Sequence, residues 1–274
     1  MKLIHNPGSS ADIYHTESCN TKSAKLNRAS YEMNYERSAA PLGSEKAEEV
    51  IEGAPRDVRI KLDVTAVSAD MPVETAITNR RSQKDFSRDA LPMPHLAKVL
   101  YLANGARPSS PDASSNAGAS SSYGSGSNFN FPSAGGLAST QIDVFVLNVA
   151  GVEPGIYRFD RRTHDLVLKK KGNFSTWLKE FGILQIEFGD AGAVLILSCD
   201  MARLAEKYSI RAYRLGFMDA GHVSENIYLA AHALDLCVCA TAGFIDSEIN
   251  SALGFDGLDQ CALLALGIGL ANEA

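Results

Sequence analysis

The order of apolar segments between Ile142 and Ile268 constrains the fold of this chain more than any other sequence feature. Strand-like runs and amphipathic helical runs are mixed here without the strict alternation of βαβ units. This arrangement is typical of an α+β fold rather than a doubly wound fold. We predict strands at Ile142–Val149, Gly155–Phe159, Asp165–Leu168, Ala193–Ser198, Cys237–Thr241 and Cys261–Ile268, and helices at Met201–Tyr208, Ala212–Leu234 and Ser247–Leu253.

The sequence before Ile142 divides into an arm, two helices and a loop. Residues 1–69 are polar and weakly periodic, so we interpret them as an amino-terminal arm that ends in a short alternating strand near Ile60. Capping and periodicity predict helices at 71–77 and 94–104. Residues 108–130 are rich in Ser and Gly and are interpreted as a long loop. We therefore expect one domain over residues 70–274.

Composition limits the partners and the location of the protein. The 274 residues carry 26 basic and 32 acidic side chains, a net charge of -6, which does not favour nucleic-acid binding. No apolar run approaches the roughly 20 residues that cross a bilayer, and the amino terminus lacks an apolar signal segment. Five cysteines are too few, and odd in number, for a disulfide scaffold. We expect a cytoplasmic protein with no membrane partner.

Three segments are candidates for chemistry, each with a plainer alternative. The segment after the first helix could bind a phosphate through Arg80, Arg81, Ser82 and Lys84, or it could be a solvated helix end. Pro132–Leu137 is small enough to let backbone approach a flat ligand, or is an ordinary turn. Lys207 could be a general base with Tyr208 as proton donor, or both could lie on a charged helix. Cys237 and Cys239 lack the spacing or partners of a metal site, so no metal is expected.

Taken in order, these segments resemble a known family. The run Arg80-Arg81-Ser82, then Pro132-Ser133-Ala134-Gly135-Gly136-Leu137, then Lys207-Tyr208-x-x-Arg211-x-Tyr213-Arg214, resembles the nitroreductase superfamily. It is more closely similar to the SagB-type branch, the azoline dehydrogenases of thiazole/oxazole-modified peptide biosynthesis. Segments at 155–159, 219–231 and 242–244 extend the similarity, which covers about residues 71–269.

The resemblance implies an α+β flavoprotein with a nitroreductase-like fold: a central mixed sheet flanked by helices, a homodimer formed through long helices, and FMN at the subunit interface. Gly216 and Gly221 would permit close helix approach. The residues that would bind the cofactor are Arg80, Arg81, Ser82, Lys84, Asn226, Arg211 and Arg214, with Pro132, Ser133, Ala134 and Gly135 reaching the ring from the partner subunit and Ala242, Gly243 and Phe244 presenting backbone N–H groups to it. By the same resemblance, Lys207 and Tyr208 stand at the positions of the catalytic Lys-Tyr pair of the azoline-oxidising relatives.

By this resemblance the reaction would be oxidation of thiazoline or oxazoline rings in a peptide or carrier-bound substrate, within a complex that could include a cyclodehydratase. Two departures from the family pattern bear on FMN binding. Lys84 replaces the commoner arginine, and no basic residue follows Gly267-Ile268-Gly269. Two alternative functions remain: a general NAD(P)H-dependent nitro or quinone reductase, and a catalytically idle scaffold in a biosynthetic complex.

Overall fold

A computed structural model describes residues 58–107 and 129–272. Seven strands form one sheet, in the spatial order β1-β4-β3-β2-β5-β7-β6. The strands are β1 Arg59–Lys61, β2 Thr140–Val146, β3 Gly155–Asp160, β4 Asp165–Lys171, β5 Ala193–Asp200, β6 Leu236–Thr241 and β7 Gln260–Leu270. The helices are α1 Val73–Asn79, α2 Met93–Asn104, α3 Ser175–Trp177, α4 Met201–Tyr208, α5 Ala212–His232 and α6 Asp246–Leu253.

The expectation of a mixed sheet is wrong for the described strands, because all six strand pairings are antiparallel. β2, β3 and β4 are sequential neighbours joined by short connections, which favour antiparallel pairing. β7 lies between β5 and β6 and pairs antiparallel with both. No βαβ crossover therefore brings two of these strands side by side in parallel.

Alternating side chains of the central strands fill two separate apolar clusters. In β5, Leu195 packs into a cluster with helices α2 and α5, whereas Val194 and Ile196 face the opposite side of the sheet. That second side is covered by Phe188 and other residues of the segment 174–190. Because both faces are covered, β5 is apolar along nearly its whole length rather than alternating.

The predicted elements are confirmed with small changes in their ends, and one region was missed. The segment from α3 to Asp190 contains a π-helical turn at Leu178–Gly182 and a 3₁₀ turn at Ile186–Asp190, which periodicity did not reveal. The alternating strand expected near Ile60 is β1, which pairs with β4. Most of the arm, residues 1–57, and most of the Ser/Gly-rich loop, residues 108–128, lie outside the described residues. Among those described, no helix is long and apolar enough to cross a membrane.

Candidate active site

The cationic segment after α1 is extended and fixed to the sheet. The Gln83 N–H donates to the Val238 carbonyl at 2.8 Å, which holds the segment against β6. The Arg81 guanidinium donates to the carbonyls of Thr78 and Arg80 at 3.1 and 2.8 Å. Ser82 is exposed. The predicted phosphate-binding residues therefore follow the helix as a short accessible strip.

Tyr228 of α5 connects this strip to the sheet, a role that the sequence analysis missed. Its hydroxyl lies 3.1 Å from Ser82 Oγ and accepts from the Ala240 N–H at 2.7 Å. The Arg80 guanidinium stands over the Tyr228 ring, 5.2 Å from its centroid. The ring is buried at 8% exposure. A polar residue on the buried face of a helix is the sequence signal that could have identified it.

The charges of the strip fit an anionic group. Among the described residues, neither Arg80 nor Arg81 forms an ion pair with a carboxylate, so their charges are not neutralised there. Lys84 differs, because its Nζ lies 2.8 Å from Glu187 Oε1. Two forked guanidinium groups beside a serine hydroxyl form a donor set suited to a phosphate.

The segment from Asn130 to Ala134 runs antiparallel along α5 and is held at three points. Asn226 Nδ2 donates to the Asn130 carbonyl at 3.0 Å, and His222 Nδ1 lies 3.2 Å from the Pro132 carbonyl. The Ala134 N–H donates to both carboxylate oxygens of Asp219, each at 3.0 Å. The three side chains lie on one helix face because their spacing is close to whole turns. Asn226, predicted to bind the cofactor, here holds the segment.

Asp219 is the most buried of these three anchors, at 3% exposure. Burial raises the pKa of its carboxyl above the usual range, although the Ala134 N–H and the nearby His222 oppose the shift. The Ser133 hydroxyl adds a further constraint by accepting from the Ala138 N–H at 3.0 Å. The backbone entering Gly135 is therefore fixed on both sides.

Gly135 brings the predicted ring-binding segment against the predicted catalytic pair. It has φ +58°, and a Cβ built there would lie 2.3 Å from the Tyr208 hydroxyl and 2.6 Å from Lys207 Nζ. The Lys207 Nζ also stands 5.5 Å from the centroid of the Tyr208 ring. Lys207 is exposed and Tyr208 is half-buried. A glycine at this position keeps both polar atoms accessible beside an exposed backbone turn.

The predicted flavin-binding residue Gly243 has a hydrogen-bond partner within the chain. Its N–H donates to Thr241 Oγ1 at 2.8 Å. Its Cβ position faces the Gln185 amide at 3.0 Å, and that amide accepts from the Thr241 hydroxyl. Ala242 is exposed, and Phe244 is buried at 3%. A threonine two residues earlier can form an ST turn, which competes for this N–H.

The predicted site residues form two groups at opposite ends of α5. Gly135, Lys207 and Tyr208 lie near the start of the helix, with exposed Arg211 and Arg214. Arg80 and Ser82 lie beside Tyr228, near its end. From Asp219 to Tyr228 the helix rises by about 14 Å. Within a single chain the predicted site residues therefore lie in two separate groups.

The antiparallel sheet, crossed on one face by a long helix and covered on the other by segment 174–190, defines the chain as an α+β protein. The chain belongs to the nitroreductase family of oxidoreductases: the model described as Nitroreductase family matches residues 77–270, most of its length. Its fold is accordingly nitroreductase-like.

Individual relatives agree with this assignment. A protein of Methanocaldococcus jannaschii that is named as a nitroreductase, MJ1384, is 27% identical over 203 residues, covering 73% of this chain and 91% of its own. A solved structure from Anabaena variabilis, also named as a nitroreductase, is 25% identical with a TM-score of 0.61; the match covers 78% of this chain but only 42% of that one.

The fold also resembles a chain in the E. coli microcin synthetase McbBCD complex solved with truncated pro-MccB17 bound. The TM-score is 0.56 at 17% identity, and the match covers 95% of this chain and 97% of that chain. At this identity the likeness concerns the fold alone.

Proposed function

We propose that this protein is an FMN-dependent dehydrogenase that oxidises thiazoline or oxazoline rings to thiazoles or oxazoles in peptide natural-product biosynthesis. The observation that carries the proposal is the meeting of Lys207 Nζ and the Tyr208 hydroxyl at the open face of Gly135. An amine and a phenol beside an accessible backbone turn can act as general base and general acid toward a flat ring bound there. Family membership supports the oxidoreductase class.

FMN fits the polar strip after α1. Arg80, Arg81 and Ser82 would hold its phosphate and ribityl chain, and the unneutralised charges of the two arginines support this role. Lys84 would contribute less than the resemblance implies, because it already pairs with Glu187. Bound FMN would supply the hydride acceptor. The protein's part is to bind, orient and deprotonate the substrate.

The complete site requires two chains in this proposal. The strip beside Tyr228 and the Lys207 pair stand at opposite ends of α5, so a two-fold pairing of α5 helices would bring one chain's strip to its partner's pair. Three large apolar side chains on and just before the helix support this, because Ile210, Phe217 and Met218 are exposed by 67, 43 and 53%. The homodimer would then share each FMN between subunits, with Pro132–Gly135 contributed by the partner.

In the proton step, Lys207 Nζ would take the proton that leaves the ring carbon, while the hydride leaves the adjacent position. The Tyr208 hydroxyl would hydrogen-bond to the lysine amine and to the substrate, and so hold both in position. Gly135 leaves room for the ring because it has no side chain. The driving force is aromatisation of the ring.

A peptide or carrier-bound substrate is supported by the likeness to the microcin synthetase chain, which spans nearly the full length of both proteins. In this proposal the protein would also act in a complex, and the resemblance to the SagB-type branch implies that a cyclodehydratase in it forms the azoline rings.

The decisive experiment replaces Lys207 with Ala and measures azoline oxidation with FMN occupancy. Loss of a positioned base lowers turnover by about 10²–10⁴-fold. FMN binding should be largely unchanged, because in this proposal Arg80, Arg81 and Ser82 hold the phosphate, whereas Lys207 acts on the substrate ring. Lys98→Ala, on α2, is the matched control and should retain turnover. Normal turnover in Lys207→Ala with full FMN loading would exclude the catalytic assignment.

A general NAD(P)H-dependent nitro or quinone reductase is the second candidate, favoured by the 27% identity to the M. jannaschii relative. Anaerobic addition of NADH or NADPH separates the two. Rapid bleaching of the flavin absorbance near about 450 nm would support the reductase, and slow or no bleaching supports the dehydrogenase. A protein that cannot be loaded with FMN at all would instead support the scaffold alternative.

A further inference from the structure

A cleft of about 380 Å³ lies beside residues 136–139, which directly follow Gly135. Its wall is Gly136–Ser139, and its floor comes from strands β1, β3 and β4. Arg59, Val167 and Arg158 are aligned across these three strands and so share one sheet face. The volume is within the range of ligand-binding clefts.

The lining of the cleft is strongly cationic. Six basic side chains line it against two acidic ones: Arg59, Arg158, Arg161, Arg162, Lys169 and Arg203 against Asp160 and Asp200. Some of this charge is neutralised, because Arg59 pairs with Asp160 at 2.9 Å and Arg158 pairs with the buried Asp143. Among the described residues, Arg161, Lys169 and Arg203 form no such pair with a carboxylate.

Arg161 is the deepest of these cations. Its guanidinium donates to the Ala138 carbonyl at 2.6 Å and lies 5.3 Å from the centroid of the Phe129 ring. Burial, together with the charges of Arg203, Arg158 and Arg162, lowers its pKa from 12.5 to about 10. Like charges gathered around a half-buried cation are costly unless an anion joins them.

A buried hydroxyl points to the same kind of ligand. Ser139 lines the cleft and is only 1% exposed, yet its Oγ has no hydrogen-bond partner within the described part of the chain. Buried hydroxyls are normally bonded, so an unpartnered one at a ligand-sized cleft indicates a missing acceptor or donor. An oxyanion would satisfy the serine and the nearby guanidinium groups together.

The breadth of the cleft favours several oxyanions over one. Arg59 and Arg158 are separated by two strand spacings, about 10 Å. Arg203 lies on α4, one helical turn before Lys207 and on the same face, about 6 Å along the axis. An extended chain that placed a ring at Lys207 would carry its neighbouring side chains into the cleft.

We propose that this cleft binds an acidic peptide segment, one that carries several Asp or Glu side chains, beside the ring that Lys207 deprotonates. The position beside a reacting ring rests on the proposed function, whereas binding of the segment does not. Substrates of this enzyme would then carry acidic residues within a few positions of the azoline.

The test is fluorescence anisotropy with the full-length protein and fluorescein-labelled hexaglutamate at about 0.15 M ionic strength. Hexaglutamine with the same label is the control peptide. The double variant Lys169→Glu/Arg203→Glu removes two cleft cations, and both are exposed, so folding should be preserved. Arg88→Glu/Lys171→Glu makes the same change in net charge at exposed positions outside the cleft.

We expect hexaglutamate to bind and hexaglutamine not to bind. The cleft variant should weaken binding by at least about tenfold, with the control variant close to the parent. No binding of hexaglutamate would overturn the proposal, and equal weakening in both variants would overturn it in favour of general charge attraction. The labelled peptide can also be displaced with pyrophosphate or with unlabelled hexaglutamate. If pyrophosphate displaces it at a far lower concentration than hexaglutamate does, the proposal is overturned in favour of a phosphate ligand.

The assay needs neither FMN nor turnover, so the two proposals fail separately. Peptide binding in a protein that oxidises no azoline would count against the dehydrogenase alone. Azoline oxidation in a protein with no difference between the two double variants would count against the cleft alone.

Discussion

Gly135 and Gly136 are neighbours with the same left-handed backbone but different surroundings. Their φ values are +58° and +69°; a Cβ on Gly135 would collide with Tyr208 and Lys207, whereas a Cβ on Gly136 would meet nothing within 4 Å. Substitutions at the two glycines therefore separate the free-energy cost of the backbone conformation from the cost of displacing Lys207 and Tyr208.

We expect Gly135→Ala and Gly136→Ala each to lose about 1 kcal/mol of unfolding free energy through the left-handed backbone. Only Gly135→Ala should also abolish most azoline oxidation, because the side chains of Lys207 and Tyr208 must move away from the added methyl group. Chemical unfolding and turnover measured on both variants check this. Equal activity in the two variants would show that Gly135 does not adjoin the reacting groups.

Asp219 makes a pH-dependent contribution to stability. Its pKa is raised in the folded protein, so folding favours the protonated carboxyl. Stability from this group is greatest below the ordinary value of 3.8 and falls as the pH rises through the folded pKa. Asp219→Asn keeps an acceptor for the Ala134 N–H and removes this dependence.

The expected result is that Asp219→Asn gains stability relative to the parent as the pH rises from about 4 to 7. Asp219→Ala leaves the Ala134 N–H without its acceptor and should cost about 1–3 kcal/mol. Urea unfolding at the two pH values measures both effects. A parallel pH dependence in the parent and Asp219→Asn would contradict the assignment.

At the scale of single residues, the sequence predicted contacts within a motif better than contacts between motifs. It grouped Lys207 with Tyr208 correctly, because adjacent residues stay close in any fold. It did not predict that Asp219, His222 and Asn226 hold the segment before Gly135, because those contacts join positions about 85–96 residues apart. The side-chain acceptor that engages the Gly243 N–H was also unforeseen.

At the scale of elements, α5 contains two glycines that the structure distinguishes. A Cβ on Gly216 would lie 2.8 Å from Met201 Cε and 3.1 Å from Cys199 Sγ, whereas one on Gly221 would meet nothing within 4 Å. Gly216 therefore lets α5 lie close to Cys199 of β5 and to Met201 at the start of α4. Gly221 is exposed in the single chain.

Gly216→Ala should lose about 1–3 kcal/mol through overpacking. Gly221→Ala adds a methyl group to the face of α5 that carries Phe217 and Met218, so in the proposed dimer it should lose stability rather than gain the roughly 1 kcal/mol that helix propensity alone would give. Denaturant unfolding of both variants at one protein concentration tests this. A gain of stability in Gly221→Ala would place that residue outside the subunit contact.

Elements with a clear period were predictable, and the segment 174–190 was not. Helices α4 and α5 and the core strands carry apolar residues at regular spacing, which local pattern reveals. The 174–190 segment consists of short α, π and 3₁₀ turns, and its apolar residues have no common period. Its structure depends on covering β5, a tertiary effect that no local window contains.

At the scale of the whole molecule, the proposed dimer predicts a strong effect at Phe217. Phe217→Glu places a charge in the apolar contact of both chains, which should raise the dimer dissociation constant by at least about 100-fold. FMN affinity should fall with it, because each site uses two chains. Sedimentation velocity and flavin titration provide the measurements.

Val58→Glu is the matched control, since Val58 is also an exposed apolar residue, at 38%, but lies beside the edge strand β1. It should leave sedimentation unchanged. A Phe217→Glu protein that sediments like the parent would exclude α5 as the dimer contact.

The position of β7 between β5 and β6 has a consequence for synthesis on the ribosome. β6 emerges before β7 but has no neighbour in the sheet until residues 260–270 follow it. Until then β5 also presents an open edge of backbone groups, a surface prone to pairing with other chains. Insertion of this one strand closes both of these edges at once, so β5 and β6 stay open to pairing with other chains until β7 has emerged.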